Sequence, residues 1–262
     1  MKRILAFVSE SELVKAFITL IVYCVDAAII GVSLAPSVYL LASAWKTLMP
    51  IPSPAHVLAF SVACGLAIFL YFITGTIVMS LIIRLISLGM KAGRYPMVSF
   101  TMVRWLIYSG VYHLAGKTIL DYLPISFLSI IFFRIVGAKI GKNVALNTWF
   151  LNDAYLLELG DNVVIGGKSD ISCHTFERGT LLLSRVKIGR NSFVGQQCYI
   201  SPGVTIGENC VIGQYSFIRK NKEIPDRTVI AALGGLPIRA ISKLENMGEE
   251  RGGDKGNPAG NK

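Results

Sequence analysis

Charge is scarce in this chain of 262 residues: Asp, Glu, Lys and Arg make up 16% of it, against 53% hydrophobic residues. That balance excludes a polar disordered chain and fits membrane segments joined to one folded domain. Cysteine is sparse as well. Cys24, Cys64, Cys173, Cys198 and Cys210 form no C-x-x-C pair. A disulfide framework is not expected; free thiols in a reducing compartment are. Acidic residues are outnumbered 16 to 26 by basic ones, for a formal charge of +10. The excess forms no dense basic-aromatic patch, so no nucleic-acid partner is expected. It suits contact with anionic lipid or with an anionic cofactor.

Two long stretches nearly lack charge. Residues 16–45 carry one charged side chain, Asp26, and residues 56–83 carry no Asp, Glu, Lys or Arg. Each can cross a hydrocarbon core about 30 Å thick as a helix. Pro50, Pro52 and Pro54 suit a short turn between them, so residues 16–90 are expected to form two transmembrane helices. Lys2, Arg3 and Lys15 precede the pair, Arg84, Lys91, Arg94 and Arg104 follow it, and Lys46 alone lies between. The positive-inside rule then puts both flanks on the cytoplasmic side of an inner membrane that the chain crosses more than once. Residues 1–15 lack an apolar core followed by a small-residue cleavage site and read as a cytoplasmic flank, not a removable signal peptide. Residues 91–136 are apolar but interrupted by Arg104, His113, Lys117, Asp121 and Pro124, which predicts interfacial amphipathic helices.

What the chain does have is a beat of six. Ile188, Val194, Ile200, Ile206, Ile212 and Ile218 recur without a slip, and Gly189, Gly195, Gly207 and Gly213 follow four of them. Six is a multiple of the strand period of two and not of 3.6, so these side chains share an inward direction only in strands. Ser192, Cys198, Val204, Cys210 and Ser216 are the small residues four places on. This is the pattern of a hexapeptide parallel β-helix, three strands to a triangular coil. The glycines and asparagines are expected at its corners. Upstream, Ile140, Leu146 and Asn152 keep the spacing; it slips by one, resumes at Leu159, Ile165 and Ile171, and breaks at residues 173–185. The β-helix domain is expected over residues 137–235, with a closing segment and a disordered tail over residues 236–262.

Residues 137–239 resemble the hexapeptide-repeat acyltransferases, and within them the β-helix at the C-terminus of membrane-bound peptide synthetases of the poly-lysine-synthetase type. The stretches G-A-K-I-G-K-N-V-A-L-N-T, L-E-L-G-D-N-V-V-I-G and I-S-C-H-T-F-E-R-G carry the likeness. The resemblance implies a left-handed β-helix, a homotrimer, and acyl transfer from coenzyme A with no bound cofactor. It implies an acyl group, acetyl first among the candidates, passed to a hydroxyl or amine. The membrane hairpin points to a membrane lipid or a lipid-linked saccharide as acceptor. Two alternatives stay open: a non-catalytic trimeric membrane scaffold, and an amide-forming transferase fed by a carrier-protein thioester.

Loops extruded from a rigid solenoid are natural places for a site. The break at residues 173–185 contains His174, the one histidine of the repeat domain, and the resemblance makes it the general base. Glu177 is the candidate to orient its ring. Asn152 and Asp153 are candidate acceptor contacts, reaching the cleft from a neighbouring subunit. Gly195, Ser201, Gly203 and Gly213 are candidates to let the pantetheine arm approach, with Arg219 and Lys220 at the nucleotide phosphates. The Gly195 N–H is a candidate oxyanion donor. A lone repeat-domain histidine does not build the three-His zinc site known in some β-helices, so no metal is expected. The segment L-G-G-L-P-I-R resembles a closing donor-contact motif of the family.

Overall fold

The computed structural model describes residues 12–50 and 53–231. The predicted closing motif from Leu233, the tail and the first part of the N-terminal flank lie outside these residues. Helix α1 (Glu12–Leu48) and helix α2 (Ala55–Ser87) form an antiparallel pair. Leu20–Leu48 and Ala55–Ser87 are each long and apolar enough to cross a membrane, and most of each faces outward. Their contact is made by small residues, as in helix pairs that lack a hydrophobic drive between them. The Ser37 hydroxyl donates to the Ala67 carbonyl at 2.7 Å, and that of Thr74 donates to the Ser33 carbonyl at 2.6 Å.

A short strand β1 (Gly93–Pro96) leads to helix α3 (Phe100–Thr118). Ser99 caps α3 by accepting from the Met102 N–H at 3.1 Å. Helix α4 (Phe127–Val136) follows and ends at Gly137, whose φ of 117° needs a residue without Cβ. One face of α3 carries Trp105, Tyr108 and Tyr112, which are buried in one core with the first β-helix coil. The other face of α3 leaves Phe100, Leu106 and Ile107 exposed. The helix is apolar on two faces, and a reading of composition alone cannot separate them.

The β-helix has four full coils and two sides of a fifth. Its three sheets run in the orders β16-β13-β10-β5-β2, β17-β14-β11-β6-β3 and β15-β12-β7-β4, all parallel. The strands are β2 (Lys139–Ile140), β3 (Ala145–Leu146), β4 (Leu151–Asn152), β5 (Leu157–Leu159), β6 (Val164–Ile165) and β7 (Asp170–Ser172). After an extruded hairpin come β10 (Val186–Ile188), β11 (Phe193–Val194), β12 (Tyr199–Ile200), β13 (Thr205–Ile206), β14 (Val211–Ile212), β15 (Phe217–Ile218), β16 (Glu223–Ile224) and β17 (Val229–Ile230). The six-beat aliphatics are stacked in register, Ile171 on Ile200 on Ile218, and they line the axis with little or no exposure. Burying each contributes about 1.5–3 kcal/mol. The small residues serve the corners: the buried Ser192 hydroxyl donates to the Gly207 carbonyl at 2.8 Å and accepts from the Cys210 N–H at 3.0 Å.

Two sequence readings of the coil change. The corners with left-handed backbone include the expected asparagines, Asn143, Asn162, Asn191, Asn209 and Asn221, and Gly203, with Lys168, Gln197, Tyr215 and Arg227 at others. The glycines of the beat serve close approach instead: a Cβ on Gly189 would lie 2.5 Å from the Gly207 carbonyl carbon of the next coil. In the first coil Leu151, not Asn152, points to the axis, for it pairs with Ile171 and is fully buried. A 3-10 turn (Ala154–Leu156) then takes up the slip before Leu159.

Candidate active site

The break in the beat is a hairpin. Strand β8 (His174–Glu177) and strand β9 (Thr180–Leu183) pair antiparallel, and β1 adds itself to β9, giving the order β1-β9-β8. Arg178 and Gly179 both have positive φ, 46° and 71°, the mirror-image turn that a two-residue hairpin favours. Cys173, wholly buried, anchors the root through a bond from the Ser184 N–H at 2.8 Å.

His174 leaves that root and meets Asp153. The Nδ1 of His174 lies 2.6 Å from Asp153 Oδ2. The other carboxylate oxygen accepts from Trp105 Nε1 at 2.7 Å. Asp153 is 1% exposed and His174 23%, so the pair is buried at the acid and open at the base. Ser172 holds the backbone of His174, its hydroxyl donating to the His174 carbonyl at 3.0 Å. The Trp105 ring meets the imidazole edge-on, with centroids 4.7 Å apart. A tautomer that donates Nδ1–H to the buried carboxylate leaves a lone pair on Nε2. The buried Tyr108 hydroxyl, pushed well above its ordinary range by burial and then by the charge of Asp153, stays un-ionised beside it.

The structure does not bring Glu177, the orienting candidate, to His174. Side chains alternate along β8, so Glu177 is on the opposite face of the strand from His174. Its carboxylate pairs with Lys220 and, at 3.9 Å, with Arg94, and these cations hold it below the usual glutamate range. Asp153, a candidate acceptor contact, is packed against His174 of the same chain. Asn152 donates to Asp170 Oδ1 at 2.9 Å. Burial raises the Asp170 carboxyl, with the Asn152 bond opposing.

The donor candidates fall into two groups. Ser201 and Gly203 follow β12, Arg219 and Lys220 follow β15, and both corners stack on the corner from which the hairpin leaves β7. Lys220 joins Arg94, Arg178 and Glu177 around a cavity of about 500 Å³, with three cations to one carboxylate. Gly195 and Gly213 lie at the preceding corner, away from that edge. Gly195 borders a separate groove of about 520 Å³ with Ile125, Phe193 and Gln214. Its N–H already donates to the Ile212 carbonyl at 2.7 Å, which removes it as an oxyanion donor. Among the described residues no group of three or more His, Cys, Asp or Glu could hold a metal ion.

Trp105, Arg94 and Arg178 stand beside the candidate residues, and motif reading does not find them. Trp105 is 48 residues from Asp153 in the chain, and no spacing links the two. Arg178 was in plain view, within the E-R-G-T turn of the hairpin.

Comparison with known proteins places this repeat. Residues 185–220 match the family model of the bacterial transferase hexapeptide (six repeats). Over 143 residues the chain is 30% identical to the delta-poly-L-ornithine synthetase of Acinetobacter baumannii (strain AB307-0294), covering 52% of this chain. It spans about a tenth of that relative's length. Among solved structures, a maltose O-acetyltransferase from Clostridium difficile 630 is 23% identical, with a TM-score of 0.39, covering 54% of this chain and 88% of that one. The serine acetyltransferase of Neisseria gonorrhoeae is 17% identical, with a TM-score of 0.37, covering 78% and 65%. Over residues 185–220 the beat of six in this chain is thus similar to the repeat of that family model.

Proposed function

We propose that this protein is a membrane-anchored acyltransferase that works as a trimer of left-handed β-helices. The observation that carries the reading is the Asp153–His174 pair, set at the hairpin that leaves the β-helix just before the repeat matched by the transferase family model. The acceptor hydroxyl or amine gives its proton to His174 Nε2 as its oxygen or nitrogen bonds to the thioester carbonyl carbon. The tetrahedral intermediate collapses, the carbon–sulfur bond breaks, and the proton passes from Nε2 to the departing thiolate. Asp153 keeps the Nδ1 proton in place and offsets the imidazolium charge while it lasts. Acyl-CoA is the donor, its phosphates drawn to Lys220, Arg219, Arg94 and Arg178. Ser201 and Gly203 border the same edge, while Gly195 and Gly213 face a neighbouring protomer.

The hairpin of α1 and α2 supports a cytoplasmic-membrane location with the β-helix on the cytoplasmic side. It also supports a membrane-borne acceptor, a lipid or lipid-linked saccharide. The exposed stacked pair Tyr199 and Phe217, with centroids 5.3 Å apart, favours self-association through the coil face. A second reading has a specific observation behind it, the 30% identity to a poly-ornithine synthetase. There the acceptor is an amine, the product an amide, and the donor a carrier-protein thioester.

The test compares membranes holding wild-type protein or the His174→Ala variant, supplied with radiolabelled acetyl-CoA or acetyl-carrier protein. Label should enter the lipid extract, and the variant should lose about 10²–10⁴-fold of the rate. Full transfer by the variant sinks the base assignment, and preference for the carrier-bound donor selects the second reading.

A further inference from the structure

Trp105 touches both members of the His174–Asp153 pair, yet it belongs neither to the β-helix nor to its hairpin. Its Nε1 donates to Asp153 Oδ1 at 2.7 Å while Oδ2 faces His174 Nδ1 at 2.6 Å. Its ring packs edge-on against His174 at 4.7 Å and Phe176 at 5.3 Å. Both oxygens of a carboxylate that is 1% exposed are thereby occupied.

Asp153 has no local means of fixing its own carboxylate. Its backbone is left-handed, with φ 57°, and its side chain does not cap the turn that follows. The terminal torsion of an aspartate is broad, so one hydrogen bond leaves the group free to swing. A second donor removes that freedom. An indole N–H suits the task because it only donates and carries no charge. An Arg or Lys there would pair with Asp153 and weaken its hold on the imidazole.

Helix α3 delivers this donor from a fixed place. Arg104 beside it donates to the Ile86 and Leu88 carbonyls, both at 2.6 Å, tying α3 to the end of α2. Two turns on, the Tyr112 hydroxyl sits 2.8 and 2.9 Å from the Trp149 and Leu151 carbonyls, on the segment that leads to Asp153. The helix therefore grips the acid both through its carboxylate and through its preceding backbone.

We infer that Trp105 is a positioning residue: through Asp153 it sets the tautomer and aim of His174, so the helix next to the membrane pair is part of the working site. The kinetic consequence rests on the acyl-transfer reading above; the consequence for His174 does not.

The experiment replaces Trp105 in the full chain with 3-benzothienylalanine, which keeps the fused-ring shape and exchanges N–H for sulfur. The protein is held in lipid nanodiscs and 15N-labelled at its three histidines, with His174 assigned from its absence in His174→Ala. The expected result is a weakened Nδ1–H signal of His174 and about a tenfold fall in kcat with the donor KM unchanged. The melting midpoint should stay close to wild type. Trp105→Phe should show the same signal change with a lower midpoint, since packing is lost too. An unchanged His174 signal with unchanged kcat in the benzothienyl protein overturns the inference and leaves Trp105 a packing residue. If wild-type protein transfers no acyl group, the signal alone decides: its weakening upholds the inference and its persistence overturns it, while the transfer reading falls separately.

Discussion

The coils after residue 186 and the two coils before it share one beat but use it differently. In the later coils each side chain answers to its neighbours above and below: aliphatic on aliphatic, small on small, Asn191 on Asn209 at 3.2 Å. In the earlier coils the beat is bent at Leu151, padded at residues 154–156 and interrupted by the hairpin. There Asp153 answers instead to partners outside the stacked strands, His174 of the extruded hairpin and Trp105 of α3. A regular solenoid cannot gather unlike groups at one point, because every coil repeats the last. The irregular coils supply what repetition forbids.

The largest effect should come from the regular coils. Ile206 is fully buried on the axis and Thr205 beside it is exposed. Ile206→Asp puts an unpaired charge in the core and should cost about 3–5 kcal/mol, enough to prevent folding of these coils. Thr205→Asp should change stability by less than about 0.5 kcal/mol. Thermal unfolding followed by circular dichroism compares the two. Equal losses would mean that the alternation of inward and outward residues does not govern the repeat.

The same kind of pair sharpens the irregular coils, where chemistry and not folding should suffer. Asp153→Asn keeps the shape but cannot accept from both Trp105 Nε1 and His174 Nδ1–H through carboxylate oxygens, and transfer should fall about 10²-fold or more. Glu177→Gln removes a negative charge from the cavity of Arg94, Arg178 and Lys220. Its kcat should stay within about threefold of wild type, and an anionic donor should bind more tightly, since the cations lose their internal partner. Steady-state kinetics with varied donor separates the two, and a Glu177 variant as crippled as the Asp153 variant would restore the reading made from sequence alone.

These pairs also mark how far the sequence is legible. The fold could be read because a period of six is enforced by geometry at every coil, with aliphatics such as Ile188 and Ile212 in identical surroundings. The candidate site could be read as far as His174, the histidine at the break in the pattern. Its partner could not. Glu177 is three residues away and on the wrong face of the strand, whereas Asp153 lies 21 residues back and arrives through coil stacking. Trp105 was hidden further, since an aromatic in an apolar helix beside two membrane-length segments reads as lipid-facing. Which side of α3 meets the β-helix is a property of packing, and no periodicity in one element encodes it.

The smallest effect tests whether the irregular coils carry a cost in stability. Burial raises the Asp170 carboxyl above the ordinary aspartate range, and the Asn152 bond and the nearby His174 and His113 only partly counter this. The folded state then holds a proton more tightly than the unfolded one. Stability associated with this group is fully present below the unfolded pKa and is lost as pH rises through the folded one. At neutral pH the ionised, partly buried carboxylate is a burden. Asp170→Asn keeps an acceptor for Asn152 and removes the charge, so it should raise the neutral-pH melting midpoint by on the order of 2 °C. The gain should vanish as pH falls through the carboxylate range, where wild-type Asp170 is itself protonated. Melting curves at neutral and acidic pH measure both. A variant less stable than wild type at neutral pH would show that the Asp170 charge supports its surroundings, and that the bent coils hold their polar groups without penalty.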